Sequence, residues 1–186
     1  MRIAIDIDST LHHYWDGFAE AAKRRFGVEL PYDQQGWDID RLRPEQVRAC
    51  IEETHRDNRI LAAEPYPGAV DTVRAWHDAG HFIQISSHRH AGAHDATARW
   101  LERIGLPYDE LYCSDDKVTR CREIGIELLI DDSPVNLVKA ADAGIATATL
   151  THPWNRDVCE EEDVLCAPDW EALARLLAPR LERTTA

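Results

Sequence analysis

Apolar residues form two alternating patterns along the chain. Short continuous apolar runs, which are typical of buried strands, occur at residues 2–6, 82–86, 111–113, 127–131 and 145–150. Segments with apolar residues three or four positions apart separate most of the later runs. In one of them Val70, Val73 and Trp76 recur between a Pro67-Gly68 start and a Gly80 stop. This pattern predicts helices lying between strands.

Three further segments carry the same helical spacing after the second strand. Their apolar stripes consist of Ala93, Ala96, Trp100, Leu101 and Ile104; of Val135, Val138 and Ala141; and of Trp170, Leu173, Leu176 and Leu177. Gly105 and Gly144 follow the first two stripes as helix stops, and Asp169 precedes the third stripe as a helix start. Strands and helices that alternate in this way predict an α/β fold, with a Rossmann-like parallel sheet covered by helices on both faces.

One long segment interrupts the alternation. Residues 12–66 contain helical patterns and no convincing strand, and Trp15, Phe18 and Ala22 lie on one helix face. In open α/β sheets ligands bind beyond the carboxyl ends of the strands, so an insertion after strand one would overhang the site. We therefore predict an α/β core domain of residues 1–11 and 67–186, with a small helical cap at 12–66.

Composition narrows the classes of function. With 44% hydrophobic and 30% charged residues the chain has the composition of a globular protein, and no apolar run is long enough to span a bilayer. No signal-peptide pattern is visible, so a cytoplasmic location without membrane partners is expected. The net charge of −13 argues against binding nucleic-acid polymers. This charge is compatible with a small phosphorylated metabolite as ligand if the site also binds a cation. The oligomeric state stays open, and a homodimer is one of the options.

The five cysteines are expected to be reduced thiols. Their number is odd and no C-x-x-C motif occurs. Cys50, Cys113 and Cys121 fall on apolar positions and are expected to fill the core. A zinc site is therefore not predicted.

Chemically versatile polar residues lie at the predicted carboxyl ends of four strands. Asp6 and Asp8 follow the first strand, and Lys117 follows the third at a short distance. The second strand ends at Ser86 and Ser87, with Arg89 behind them, and the fourth ends at Asp131 and Asp132. An isolated aspartate pair is more often a solvated turn. A parallel sheet, however, would bring all four points to one edge.

These residue types suit phosphoryl transfer. A carboxylate can attack phosphorus to form an aspartyl phosphate, which water then hydrolyses. A second carboxylate can move protons, and a lysine and a serine can bind the phosphate oxygens. Paired carboxylates would repel an anionic substrate unless a hard divalent cation such as Mg²⁺ were bound between them.

Together, "DIDST", "ISSHR", Lys117 and "LLIDDSP" resemble the four ordered motifs of the haloacid dehalogenase superfamily. The resemblance implies that Asp6 is the nucleophile and Asp8 the general acid/base. Ser86, with Ser87 and Arg89 beside it, and Lys117 would bind phosphate. Magnesium ligands would come from Asp6, Asp8, Asp131 and Asp132. An aspartate at the second motif position is typical of phosphatases and mutases, and the insertion matches a type 1 cap.

A narrower resemblance points to the 5'(3')-deoxyribonucleotidase branch. It includes "DIDSTLHHYW", "EPYPGAVDTVRAW" and "THPWNR" in addition to the motifs above. It implies that Tyr14 and Trp37 hold the nucleotide base. The chain departs from the branch at Ser9-Thr10, where Gly-Val is usual.

The function expected from these residues is a magnesium-dependent phosphomonoesterase. A (deoxy)nucleoside monophosphate is the first choice of substrate, hydrolysed through an aspartyl phosphate. One alternative is a phosphatase or phosphomutase acting on a sugar phosphate or another small metabolite. A non-enzymatic alternative is a receiver-like phospho-accepting signalling domain, although receivers carry their acidic pair first in the chain and have no such cap.

Overall fold

A computed structural model describes residues 1–34, 36, 39–114, 116–161 and 163–182, so the predicted pocket residue Trp37 lies outside the described residues. Within them the chain forms one parallel sheet of six strands in the order β3-β2-β1-β4-β5-β6. The strands are β1 (Arg2–Ile5), β2 (Phe82–Ser87), β3 (Glu110–Cys113), β4 (Leu128–Ile130), β5 (Ala146–Leu150) and β6 (Val164–Ala167). The α/β fold with a parallel sheet is confirmed.

Helices cover both faces of the sheet. They are α1 (Tyr14–Phe26), α2 (Pro44–Thr54), α3 (Asp57–Ala62), α4 (Ala69–Asp78), α5 (His94–Ile104), α6 (Lys117–Glu123), α7 (Pro134–Asp142), α8 (Arg156–Glu161) and α9 (Trp170–Glu182). Side chains alternate between the faces of a strand. Accordingly, Ile3 and Ile5 pack with residues of α4, α5 and α9, whereas Ala4 packs with residues of α6 and α7.

The segment between β1 and β2 begins with three helices, α1 to α3. A separate apolar cluster contains Trp15 and Phe18 of α1, Leu30 of the loop after α1 and Cys50 of α2, and Trp154 joins it from the region after β5. Helix α3 contacts α5, where the Trp100 indole donates a hydrogen bond to the carbonyl of Ala63 at 2.8 Å. This segment therefore has its own small core and is tied to the sheet domain. Its exact division at residues 12–66 stays a prediction.

The structure contains elements that the sequence pattern does not indicate. Strand β6 is a short edge strand in which only Val164 and Ala167 are buried, so its apolar run is weak. Helix α6 has seven residues and no apolar stripe; it begins after Asp116, whose side chain accepts a hydrogen bond from the Thr119 backbone N–H. Among the described residues, none of the helices has the length and apolarity that crossing a bilayer requires.

The expectation of five reduced thiols is wrong for two of them. Cys159 in α8 and Cys166 in β6 form a disulfide across a seven-residue separation, with their Cα atoms 5.9 Å apart. Cys50, Cys113 and Cys121 are free, and both Cys50 and Cys121 are buried. The pairing depends on how α8 packs on β6, a tertiary contact that cysteine spacing does not specify.

Candidate active site

Strand order brings the predicted site residues to one edge of the sheet. β1 lies at the centre between β2 and β4, so the chain changes direction across the sheet at this point, where α/β folds bind ligands. Asp6 directly follows β1, and its backbone N–H donates to the carbonyl of Ile130 at 2.8 Å. Asp131 directly follows β4, and Lys117 opens α6. The convergence expected from a parallel sheet is therefore present.

A buried lysine joins two of the aspartates. The Nζ atom of Lys117 lies 2.6 Å from Oδ1 of Asp6 and 2.6 Å from Oδ2 of Asp131. Asp131 also accepts hydrogen bonds from the backbone N–H of Ser133 at 2.9 Å and from the Asn136 amide. Ser133 caps α7, which begins at Pro134, so the start of that helix holds Asp131 in place.

Three carboxylates form a compact acidic cluster. Ligand atoms of Asp6, Asp131 and Asp132 all lie within 4.8 Å of one another. The Trp154 indole donates to Oδ2 of Asp132 at 3.0 Å. Burial, reinforced by Asp6 and Asp131, raises the pKa of Asp132 well above its ordinary value. One lysine does not balance three clustered acids, and oxygen donors at this spacing fit a hard divalent cation.

Asp6 titrates abnormally. Burial is the largest influence and raises the pKa of Asp6, and the neighbouring Asp131 and Asp8 act in the same direction. The charge of Lys117 opposes this rise. Lys117 itself keeps its proton, because the attraction of Asp131 and Asp6 outweighs the effect of burial and raises the pKa of the ammonium group.

Asp8 lies in a different environment from Asp6. Arg89 holds it with two hydrogen bonds, from Nη2 to Oδ1 at 2.7 Å and from Nε to Oδ2 at 3.2 Å. His12 Nε2 lies 2.9 Å from Oδ1, and His55 Nε2 lies 3.5 Å from Oδ2. Burial alone would raise the pKa of Asp8, but Arg89 with His12 and His55 holds it well below its ordinary value. The carboxylate of Asp8 is not part of the three-acid cluster.

The predicted phosphate-binding residues at the end of β2 and just beyond it occupy two kinds of environment. The Ser86 hydroxyl is buried and has no hydrogen-bond partner among the described residues. The Ser87 hydroxyl accepts a hydrogen bond from the Arg89 backbone N–H at 3.2 Å. The Arg89 guanidinium contacts Asp8 and the Thr97 hydroxyl and is 2% exposed. Phosphate binding by these three residues stays a prediction.

A cavity of about 620 Å³ opens above the carboxylates. Asp6, Asp8, Lys117, Asp131 and Asp132 lie at its polar end. Its other wall includes apolar and aromatic residues of the first two helices: Tyr14, Trp15, Phe18, Val47 and Ile51. The Tyr14 hydroxyl bonds to Oγ1 of Thr54 at 2.7 Å, and burial raises its pKa. The predicted pocket residue Tyr14 therefore lines this cavity.

Several residues around the site had no assigned role in the sequence analysis. His55 lines the cavity from the end of α2, and His12 contacts Asp8. The turn Pro153–Asn155 supplies Trp154, and the Asn155 amide bonds to the carbonyl of Asp132 at 3.2 Å. The only sequence signal for these contacts is the "HPWN" stretch after β5, a pattern that is also typical of an ordinary turn.

His152 precedes this turn and is almost completely buried. Its Nε2 lies 2.7 Å from the carbonyl oxygen of Ser9, and its Nδ1 lies 2.7 Å from the Tyr32 hydroxyl. Because the carbonyl only accepts, Nε2 carries the proton and Nδ1 accepts from Tyr32. Burial lowers the pKa of His152 to about 4, so the ring is neutral near pH 7.

Comparison with known proteins agrees with this geometry. The family model described as "5' nucleotidase, deoxy (Pyrimidine), cytosolic type C protein" matches residues 1–181. A protein of Chlorobaculum tepidum named "Putative 5'(3')-deoxyribonucleotidase" is 26% identical over 182 residues, covering 91% of this chain and 86% of that protein.

Solved structures show the same fold. A HAD family hydrolase from Deinococcus radiodurans R1, crystallised with phosphate and sodium, superposes with a TM-score of 0.68 at 18% identity, covering 97% of this chain and 96% of the other. The D,D-heptose 1,7-bisphosphate phosphatase of B. bronchiseptica, complexed with magnesium and phosphate, gives a TM-score of 0.57 at 14% identity and coverages of 96% and 98%. The chain belongs to the 5' nucleotidase, deoxy (Pyrimidine), cytosolic type C family and is a phosphoric monoester hydrolase, and it shares the fold of these haloacid dehalogenase-family hydrolases.

Proposed function

We propose that this protein is a magnesium-dependent phosphatase that hydrolyses a (deoxy)nucleoside monophosphate through an aspartyl phosphate on Asp6. The observation that carries the proposal is the cavity of about 620 Å³, in which a buried acid–lysine cluster faces an apolar and aromatic wall. Such a cavity can hold a charged phosphate at one end and a planar base at the other. A cytoplasmic location is part of the proposal.

The residues present fit Mg²⁺. Asp6, Asp131 and Asp132 would hold it, because they bring three carboxylates within 4.8 Å of one another. When bound, the ion would offset the negative charge of the cluster and of the phosphate. Lys117, and the Ser86 hydroxyl that lacks a partner among the described residues, are the proposed ligands of the remaining phosphate oxygens.

In the first step a carboxylate oxygen of Asp6 attacks phosphorus, and the bond between phosphorus and the ester oxygen breaks. The departing alcohol takes a proton from Asp8. In the second step Asp8 removes a proton from water, which attacks the aspartyl phosphate and releases inorganic phosphate. The low pKa that Arg89 gives Asp8 suits the second step, and the first requires Asp8 to be protonated in the complex with substrate.

The cap wall is the proposed base-binding surface. Tyr14 and Val47 line it beside Ile51, whose side chain is exposed and therefore replaceable at small cost to folding. Trp37 remains a proposed base contact. Relatives support the class of substrate, since the matched family and the Chlorobaculum tepidum protein carry nucleotidase names.

A phosphatase panel tests the proposal. Purified protein with Mg²⁺ is assayed on ribo- and deoxynucleoside 5'- and 3'-monophosphates, sugar phosphates and amino-acid phosphates. We expect the highest kcat/KM on a nucleoside monophosphate, complete loss of turnover in excess EDTA and recovery with Mg²⁺. Highest kcat/KM on a sugar phosphate would contradict the nucleotide assignment, and full activity in EDTA would contradict the metal dependence.

A cap variant tests the location of the base. Ile51→Ala should raise KM for the preferred nucleotide while leaving KM for acetyl phosphate, which has no base, unchanged. Val135→Ala serves as the control, because Val135 is similarly exposed but does not line the cavity. Equal effects of Ile51→Ala on both substrates would place the base elsewhere.

A further inference from the structure

His152 connects three separate parts of the active-site region. Its ring donates to the carbonyl of Ser9 in the loop after β1 and accepts from the hydroxyl of Tyr32 in the segment between β1 and β2. The ring also stacks on Trp154, with centroids 4.6 Å apart and planes 3° from parallel. Trp154 in turn donates to Asp132 of the acidic cluster. Both nitrogens of His152 are therefore satisfied by groups outside its own turn.

The loop residue that His152 contacts has an unfavourable backbone conformation. Ser9 has a φ of 63°, the one positive φ of a non-glycine residue within the described parts of the chain. In this region the Cβ of an L-residue crowds the following carbonyl oxygen, and only glycine adopts it freely. Such a conformation persists when surrounding contacts enforce it. The Nε2–H of His152, 2.7 Å from the Ser9 carbonyl, is such a contact.

Ser9 directly follows Asp8, so its backbone conformation determines the direction in which the chain leaves the catalytic loop. The loop has further anchors, among them the Thr10 N–H, which donates to the Ile7 carbonyl at 3.2 Å. The Leu11 N–H donates to the Ile7 carbonyl at 2.8 Å, and the Trp170 indole donates to the Thr10 carbonyl at 2.8 Å. None of these three hydrogen bonds involves an atom of Ser9 itself. His152 is thus well placed to hold the carbonyl of the strained residue.

We propose that His152 is a positioning residue for phosphoryl transfer: it holds Ser9 in the left-handed conformation and so orients the loop that carries Asp6 and Asp8. Through Tyr32 it also links that loop to the segment that covers the site. This inference rests on the proposed function, since the loop is catalytic only if Asp6 and Asp8 perform the chemistry. The role is distinct from substrate contact, because His152 does not line the cavity above the carboxylates.

A double-mutant experiment tests the role. His152→Phe keeps an aromatic ring that can stack on Trp154 but removes both nitrogens. Because small displacements of reacting groups lower turnover strongly, we expect kcat to fall about 10- to 100-fold with KM nearly unchanged. Ser9→Gly should restore most of the lost kcat in the His152→Phe background, because glycine adopts a positive φ without the hydrogen bond. This gain in the His152→Phe background should exceed the effect of Ser9→Gly in the wild-type protein.

Two further variants separate positioning from general stability. Tyr32→Phe removes the hydroxyl that orients the ring and should lower kcat less than His152→Phe does. His81→Phe removes another buried histidine, which bonds to the N-terminal amine at the opposite ends of the strands, and should leave kcat unchanged. If Ser9→Gly gives the same relative change in both backgrounds, or if His152→Phe retains full kcat, the positioning role is wrong.

A readout without substrate distinguishes this inference from the proposed function. Thermal unfolding of the same four proteins should show that Ser9→Gly raises Tm more in the His152→Phe background than in the wild type. If the wild-type protein hydrolyses no substrate of the panel yet shows this coupling, the proposed function fails while the link between His152 and Ser9 stands. If the protein is an active phosphatase without the coupling, only the link fails.

Discussion

Asp6 and Asp8 are separated by one residue, Asp6 buried and Asp8 mostly buried, yet their surroundings shift their pKa values in opposite directions. On the Lys117 side, Asp6 shares one ammonium group with Asp131 and faces Asp132, so three acids compete for one positive charge. On the Arg89 side, Asp8 alone receives two hydrogen bonds from a guanidinium and further contacts from His12 and His55.

The comparison shows that burial by itself does not decide the acidity of a carboxyl group. Desolvation is the largest single influence on both residues, and in both it acts to raise the pKa. The number of positive groups per carboxylate then decides the outcome. The Lys117 side remains short of positive charge and is suited to a cation, whereas the Arg89 side is compensated within the protein, which favours the ionised form of Asp8.

The largest expected effect distinguishes the two aspartates by chemistry. Asp6→Asn removes the proposed nucleophile, and kcat should fall by about 10⁴-fold or more on every substrate. Asp8→Asn should cost roughly 10²- to 10⁴-fold on a nucleotide, and clearly less on p-nitrophenyl phosphate, whose leaving group needs no proton. Steady-state kinetics of both variants give the comparison.

The exposed Asp142 at the end of α7 supplies a matched control, since Asp142→Asn should leave kcat unchanged. Retained turnover in Asp6→Asn would remove Asp6 as the nucleophile. Equal losses of Asp8→Asn on the two substrates would remove Asp8 as the proton donor.

The second effect concerns stability on the Lys117 side. Lys117→Met removes the ammonium group, which within the described residues is the only positive charge that contacts both Asp6 and Asp131. Two buried carboxylates are then left without a positive partner. We expect the free energy of unfolding to fall by about 3–5 kcal/mol without metal, as measured by urea denaturation in EDTA. The exposed Lys139, replaced by Met, should change it by less than about 0.5 kcal/mol. Similar values for both variants would mean that the acid–lysine cluster does not stabilise the fold.

The third effect is a pH dependence of the free energy of unfolding. It arises from His152, which contacts Ser9 in the loop after β1. The folded protein holds the pKa of His152 at about 4, below the ordinary 6.5, so between these values only the unfolded chain binds the proton. Stability therefore falls as pH decreases from 6.5 towards 4. At pH 5 this contribution should amount to about 2 kcal/mol relative to pH 7.5, and it should be absent in His152→Phe. Urea denaturation at the two pH values measures it, and an equal acid sensitivity of both proteins would contradict it.

The smallest effect concerns the geometry of the Arg89 side. Arg89→Lys keeps the positive charge but loses the two-pronged contact with Asp8. We expect a loss of about 1–2 kcal/mol in the free energy of unfolding. Arg74→Lys, at a partly exposed arginine paired with Asp71, should lose less than about 0.5 kcal/mol. If the two substitutions are equivalent, charge alone holds Asp8 and the fork geometry has no role.

Local patterns account for most of the elements but not for the contacts of Arg89. Five of the six strands and the longer helices follow from apolar runs and stripes, because the spacing of apolar residues close in sequence determines which face of an element is buried. Because a guanidinium suits phosphate, the position of Arg89 next to the Ser86-Ser87 pair predicts a phosphate contact, and this stays a prediction. In the structure it turns to Asp8, since α5 supplies Thr97 on its other side and the loop after β1 brings Asp8 within reach.

By itself the sequence determined the parallel α/β fold and the meeting of Asp6, Lys117 and Asp131 at one sheet edge, because strand ends of a parallel sheet lie together whatever the loops do. Only the tertiary structure decided the Cys159–Cys166 disulfide, the pairing of Asp8 with Arg89 and the contact of His152 with Ser9. These contacts join residues from different loops and helices, and their formation depends on packing angles and side-chain directions that no local spacing encodes.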